Sequence, residues 1–163
     1  MNPAPADSAD WVADAVPMAR AMGIVVVGWN GRRVRLRAPF EPNRNDKGTA
    51  FAGSLYSILV LAGWAVVTRH LQERGIQADV MVTESSTHYL RPVRAALEAE
   101  AELAAVPDPE TAFRDFSACG KAQMAAIAWV GAPDAPFADF RGVFALRPRP
   151  ASGRGQQQQP VQA

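Results

Sequence analysis

Apolar and polar positions divide the chain into segments with different periods. Behind Ser8 and Asp10, the stretch WVADAVPMARAMG offers Trp11, Val12, Val16 and Met18 for packing. It predicts a capped helix that stops at Gly23, with Pro17 working against its continuity. IVVVGWNGRRVRLRAPF then alternates β-branched and polar residues around Asn30-Gly31, the pattern of a tight hairpin. In its second arm Val34, Leu36 and Ala38 share one face and Arg33, Arg35 and Arg37 the other, which predicts a half-buried strand with a basic outer side.

A polar loop at 41–48 leads into the most apolar stretch of the chain. From Thr49 to Arg74 the pattern predicts one long helix ended by Gly75, apolar on nearly every side over its first two thirds and so buried all round. ADVMVTESSTHYL and RAALEAEAELAAV read as strands, PETAFRDF as a short helix, and GKAQMAAIAWV and FADFRGVFALRP as two closing strands. No repeating βαβ rhythm is present. The order predicts an α+β domain over residues 1–150 in which a curved, mostly antiparallel sheet folds around the long helix, a second subunit covering what remains open. Residues 151–163, ASGRGQQQQPVQA, are low-complexity and predict a disordered tail.

Composition narrows the function classes. At 163 residues, 48% hydrophobic and 20% charged, the chain is long enough for one core. A net charge of +1 gives no reason to expect nucleic acid. The arginines cluster all the same, at Arg32, Arg33, Arg35 and Arg37, at Arg91 and Arg94, and at Arg147 and Arg149; each cluster is either a solvated face or a seat for an acidic protein or phosphate. A single cysteine, Cys119, excludes an internal disulfide and reads as a buried thiol in a reducing compartment. The acidic, proline-rich start does not read as a signal peptide, and the apolar run 55–67 is short for a bilayer, so a cytoplasmic protein without membrane contact is expected. No Cys, His and carboxylate grouping has metal-ligand spacing, and no metal or resident cofactor is expected.

The segment NRNDKGTAFAGSLY, with Asn45 to Tyr56 forming N-x-x-G-T-x-F-x-G-S-L-Y, is followed by Trp64 and, further on, by the strand end YLRPV. In this it resembles the YiiD-type thioesterase-like family of hotdog proteins, over roughly residues 10–147. The resemblance implies a homodimer acting on acyl groups carried by the phosphopantetheine of acyl carrier protein or by coenzyme A. The thioester would lie at the N-terminus of the central helix in a pocket completed by the partner. Helix physics agrees: the first amides have no internal acceptor and carry partial positive charge, and Gly48, Ala50, Ala52 and Gly53 permit close approach.

Hydrolytic hotdog enzymes place a carboxylate on this helix or in the loop before it. Here the helix position commonly used falls near Val60, Phe51 stands where many relatives carry histidine, and no Asp, Glu or His occurs from Thr49 to Arg69. Base-free chemistry suits decarboxylation of a malonyl thioester, whose enolate oxygen needs donors in place. The resemblance includes malonyl-acyl carrier protein decarboxylases that prime fatty acid synthesis. On that reading Asn45, Ser54 and Thr49 are the catalytic candidates. Gly53, Phe51, Asp46, Glu84, Ser86, His88, Arg91 and Arg94 are the substrate-binding candidates, the two arginines facing the pantetheine phosphate. Glu84 and His88 share a strand face but lie roughly 13 Å apart, too far for a direct bond. Two alternatives stay open: a thioesterase using Asp46 or Glu84 to direct water, and a non-catalytic acyl-binding protein.

Overall fold

The computed structural model describes residues 9–149; the predicted tail lies outside them. The helix expected before the hairpin is two short ones, α1 (Trp11–Ala15) and α2 (Pro17–Ala21). Pro17 supplies no backbone donor and holds Val16 extended, at φ −129° and ψ 102°, which breaks the helix between them. The hairpin β1 (Val25–Trp29) and β2 (Arg33–Ala38) follows, closed by Asn30, whose Oδ1 accepts from the amides of Arg32 and Arg33.

Beyond a turn at Glu41–Asn43 comes α3 (Ala52–Glu73), then β3 (Ala78–Tyr89), β4 (Leu97–Leu103), α4 (Pro109–Cys119), β5 (Ala122–Ala132) and β6 (Ala135–Pro148). The long helix therefore starts three residues later than the pattern suggested. Thr49 and Ala50 belong to the loop and Phe51 is the N-cap. The six strands form one antiparallel sheet in the order β1-β2-β4-β5-β6-β3, so β3 is an edge strand.

The sheet curves around α3, which packs on β2, β3, β4, β5 and β6: the hotdog arrangement. Ile58, Leu59, Ala62, Ala65, Val66 and Val67 are sealed against inward-facing Leu36, Leu97, Ala101, Met124, Phe140, Phe144 and Leu146. Each large side chain fully buried in this way contributes about 1.5–3 kcal/mol. By length and composition α3 would suit a bilayer, but here it is the helix the sheet wraps. Its seal is incomplete along Ala52, Tyr56, Val60 and Trp64, which stay partly open.

On the outer face, Arg33, Arg35 and Arg37 stand opposite Glu102, Glu100 and Glu98. Arg33 bonds Glu102 at 2.8 Å, and Arg37 approaches Glu98 at 3.7 Å. This basic cluster is thus largely met within the sheet. Cys119 differs from its expected burial: it ends α4 on the surface, its thiol directed at the carbonyls of Asp115 and Lys121.

Candidate functional site

The residues leading into α3 form a small hairpin. The Asn45 amide donates to the Thr49 carbonyl at 2.7 Å, the Phe51 amide to the Asn43 carbonyl at 2.7 Å, and Arg44 bridges to Ala50. Its tip turns at Gly48, whose φ of +68° is a left-handed conformation that a side chain would resist. Asn45 holds the tip together. Its Oδ1 accepts from the amides of Lys47 at 2.9 Å and Thr49 at 3.1 Å, while Nδ2 donates to Thr49 Oγ1 at 2.9 Å. The base of the hairpin hangs on Asn43, whose buried amide donates to the carbonyls of Met22 and Pro39.

At the start of α3 no side chain caps the helix. The amides of Ala52, Gly53 and Ser54 have no acceptor within it and point out of its N-terminus. Gly53 leaves room for the half-exposed ring of Phe51, which covers this turn: a Cβ there would lie 2.3 Å from its Cε1, so any larger residue would displace the ring. Ser54 is buried in the same turn, and among the described residues its hydroxyl has no side-chain partner.

Across from this turn runs β3. A bulge between Val82 and Glu84 shifts the register, after which Ser85, Thr87 and Tyr89 pair with Gly142, Phe140 and Ala138 and share the inward face. Ser85 Oγ lies 3.1 Å from Tyr56 Oη, and Tyr89 Oη donates to the Ala52 carbonyl at 3.4 Å. Thr87 Oγ1, between them, is shielded from solvent and has no hydrogen-bond partner. None of these hydroxyls stood out in the sequence. Tyr56, the last residue of the motif that begins at Asn45, is partly exposed at this wall. The signal available was the alternation Ser85, Thr87, Tyr89, but the sequence does not say which of two polar faces turns inward.

Other candidates lie elsewhere. Glu84, Ser86 and His88 pair with Val143, Arg141 and Asp139 on the outer face, away from α3. His88 Nδ1 meets Asp139 Oδ1 at 2.7 Å there, a partner the sequence did not reveal. Asp46 is exposed and held by Lys47 at 2.9 Å. Arg94 reaches the Gly48 carbonyl at 3.4 Å, and the Ala50 amide donates to the Val93 carbonyl at 2.8 Å, so the segment 91–94 flanks the hairpin. Arg91 donates to the Ala135 carbonyl with its guanidinium over the Phe137 ring. Neither arginine is paired with a carboxylate among the described residues. Those residues contain no metal-binding group of His, Cys, Asp and Glu. A shallow hollow of ≈ 550 Å³ beside Arg74, Glu110 and Phe113 sits near the C-terminal end of α3. It is about 33 Å from the hairpin by helix rise.

The geometry therefore joins Asn45, Thr49, Phe51, Gly53 and Ser54 at an uncapped helix start facing a hydroxyl-lined strand. Solved structures share the architecture. A protein of unknown function from Chlorobaculum tepidum is 30% identical, with a TM-score of 0.79 over 87% of this chain and 98% of its own. A "putative thioesterase" from Shewanella oneidensis is 25% identical, with a TM-score of 0.72 over 86% and 94%. A "probable thioesterase" from Pseudomonas aeruginosa, at 19% identity and a TM-score of 0.67 over 89% and 97%, shows the same fold. Residues 8–148 match the family described as "Putative thioesterase (yiiD_Cterm)". The chain belongs to this YiiD C-terminal, thioesterase-like hotdog family.

Proposed function

We propose that the protein decarboxylates malonyl-acyl carrier protein to acetyl-acyl carrier protein, supplying primers for fatty acid synthesis in the cytoplasm. The observation that carries this reading is the neutrality of the site: Asn45, Thr49, Ser54, Tyr56, Ser85, Thr87 and Tyr89 are all hydrogen-bonding groups without charge. The nearby carboxylates are turned away, Asp46 to Lys47 and Glu84 to the outer face. Among the described residues of one protomer, neither of these two candidate carboxylates is joined to the helix start. Decarboxylation needs no base. The bond from C2 to the carboxylate breaks, its electron pair moves into the C1–C2 bond, and the charge collects on the thioester oxygen. CO₂ leaves, and C2 takes a proton from water.

Stabilising the enolate oxygen requires donors already aimed at it, and the α3 amides with the Asn45–Thr49 pair supply them. Arg91 and Arg94 beside the hairpin suit the pantetheine phosphate or the acidic carrier. A second protomer across the β3 edge would cover Phe51, Tyr56 and Tyr89 and complete the pocket.

Incubating the pure protein with malonyl- and long-chain acyl-carrier protein and weighing the products tests this. Acetyl-carrier protein is expected. Free carrier protein would make it a thioesterase instead, and unchanged substrates an acyl-binding protein.

A further inference from the structure

Resting on that decarboxylase reading, we infer that the Thr49 hydroxyl is the side-chain donor to the thioester oxygen and that Asn45 is a positioning residue acting through it. The hydrogen-bond accounting of the hairpin leads there. Asn45 Oδ1 takes two backbone amides, from Lys47 and Thr49, which fixes the amide's orientation and leaves Nδ2 on the side of Thr49. One Nδ2 hydrogen goes to Thr49 Oγ1 at 2.9 Å; the nearest other acceptor is the Ala50 carbonyl at 3.5 Å, at the limit of a hydrogen bond. Both Oδ1 acceptor positions and one Nδ2 hydrogen of Asn45 are therefore taken up inside the hairpin, and the second Nδ2 hydrogen is held only weakly there.

Thr49 is in the opposite position. Its backbone is tied down twice, through its amide to Asn45 Oδ1 and through its carbonyl to the Asn45 amide. Its oxygen accepts from Nδ2, and its own hydroxyl hydrogen has no acceptor among the described residues. A hydroxyl that accepts one bond and has one hydrogen left is oriented as a donor. Accepting from Asn45 also polarises it, since linked hydrogen bonds strengthen one another. Thr49 lies two residues before the helix cap Phe51, in the loop that leads into the free amides of the first turn of α3.

The relay makes a prediction that direct contact by Asn45 does not. Thr49→Val keeps the shape and leaves both backbone bonds to Asn45 Oδ1 available, so the hairpin survives. Its turnover of malonyl-carrier protein should fall about 10²–10³-fold, the loss typical of one oxyanion donor, with KM little changed. Thr49→Ser should keep most of the turnover. Asn45→Ala should be slow as well, and Asn45→Ala/Thr49→Val should be about as slow as Thr49→Val alone, because the two act as a unit. Near-normal turnover in Thr49→Val overturns the inference, as does a Thr49→Ser protein as slow as Thr49→Val. If the wild type forms no acetyl-carrier protein, the decarboxylase reading falls and the inference with it. If only Asn45→Ala is slow, the reading stands and the inference alone falls.

Discussion

The amide of Asn43 is 1% exposed and donates both of its hydrogens, to the carbonyls of Met22 and Pro39 at 2.8 Å each. Its backbone carbonyl takes the Phe51 amide, so one residue ties the end of α2, the end of β2 and the cap of α3. Replacing it with alanine orphans two carbonyls, each worth on the order of 1–3 kcal/mol when left unpaired. A destabilisation of about 2–4 kcal/mol, or roughly 6–12 °C in melting temperature, is expected for Asn43→Ala. Thermal unfolding checks this, and a shift within the error of the scan would mean the carbonyls find other donors. In the sequence, Asn43 and Asn45 are two similar letters in NRND. Asn45 was legible through its place in the family motif. Asn43 was not, because its role depends on carbonyls that only the tertiary fold brings over it.

At the scale of elements, long periodic segments were readable and faces were not. The apolar run 55–67 and the Asn30-Gly31 signal located α3 and the first hairpin. In β3 the polar residues alternate on both faces, so parity alone could not separate Ser85, Thr87 and Tyr89 from Glu84, Ser86 and His88, and the bulge after Val82 resets the count. The other end of α3 docks on the first hairpin through His70. Its ring lies edge-on to Trp29 at 5.1 Å and bonds the Arg32 carbonyl, while Trp29 Nε1 donates to Glu73 at 2.6 Å. Burial pushes the His70 imidazole below its ordinary range, and the neighbouring Arg74 adds to this. The sign follows from linkage. The unfolded chain takes up this proton first, so the His70 contribution is fully present above about 6.5 and is lost as pH falls toward the lower native value. Melting temperature should therefore fall more steeply for the wild type than for His70→Gln between pH 7 and pH 5. Parallel pH profiles of the two proteins would contradict this.

At the scale of the whole molecule, the unfinished surface is the β3 edge. The twelve-residue strand Ala78–Tyr89 pairs with β6 on one side, every residue but Thr83 having a partner there, and among the described residues no strand lies along its other side. Long edge strands are normally blunted by charge, proline or covering structure. This one instead exposes Met81, Val82 and Tyr89, and it continues into the exposed Leu90. The open strip of α3 lies against the same strand at Tyr56 and Ala52, and the exposed Phe51 caps that helix, so a single partner laid along β3 would close both edge and site. Self-complementary pairing about a two-fold axis is the simplest arrangement that satisfies one edge with another, and it would place the stretch Ser85–Tyr89 near that axis. Wild-type protein at micromolar concentration should then sediment as a dimer of the 17.5 kDa chain. Val82→Asp, which sets a charge on the inward face of the edge about 20 Å or less along the strand from Tyr89, should give a folded monomer. That monomer should have lost turnover of malonyl-carrier protein, although Asn45 and Thr49 are untouched. A monomeric wild type, or a monomeric variant with full turnover, would mean that one protomer holds the whole site and that the exposed apolar edge serves some other contact.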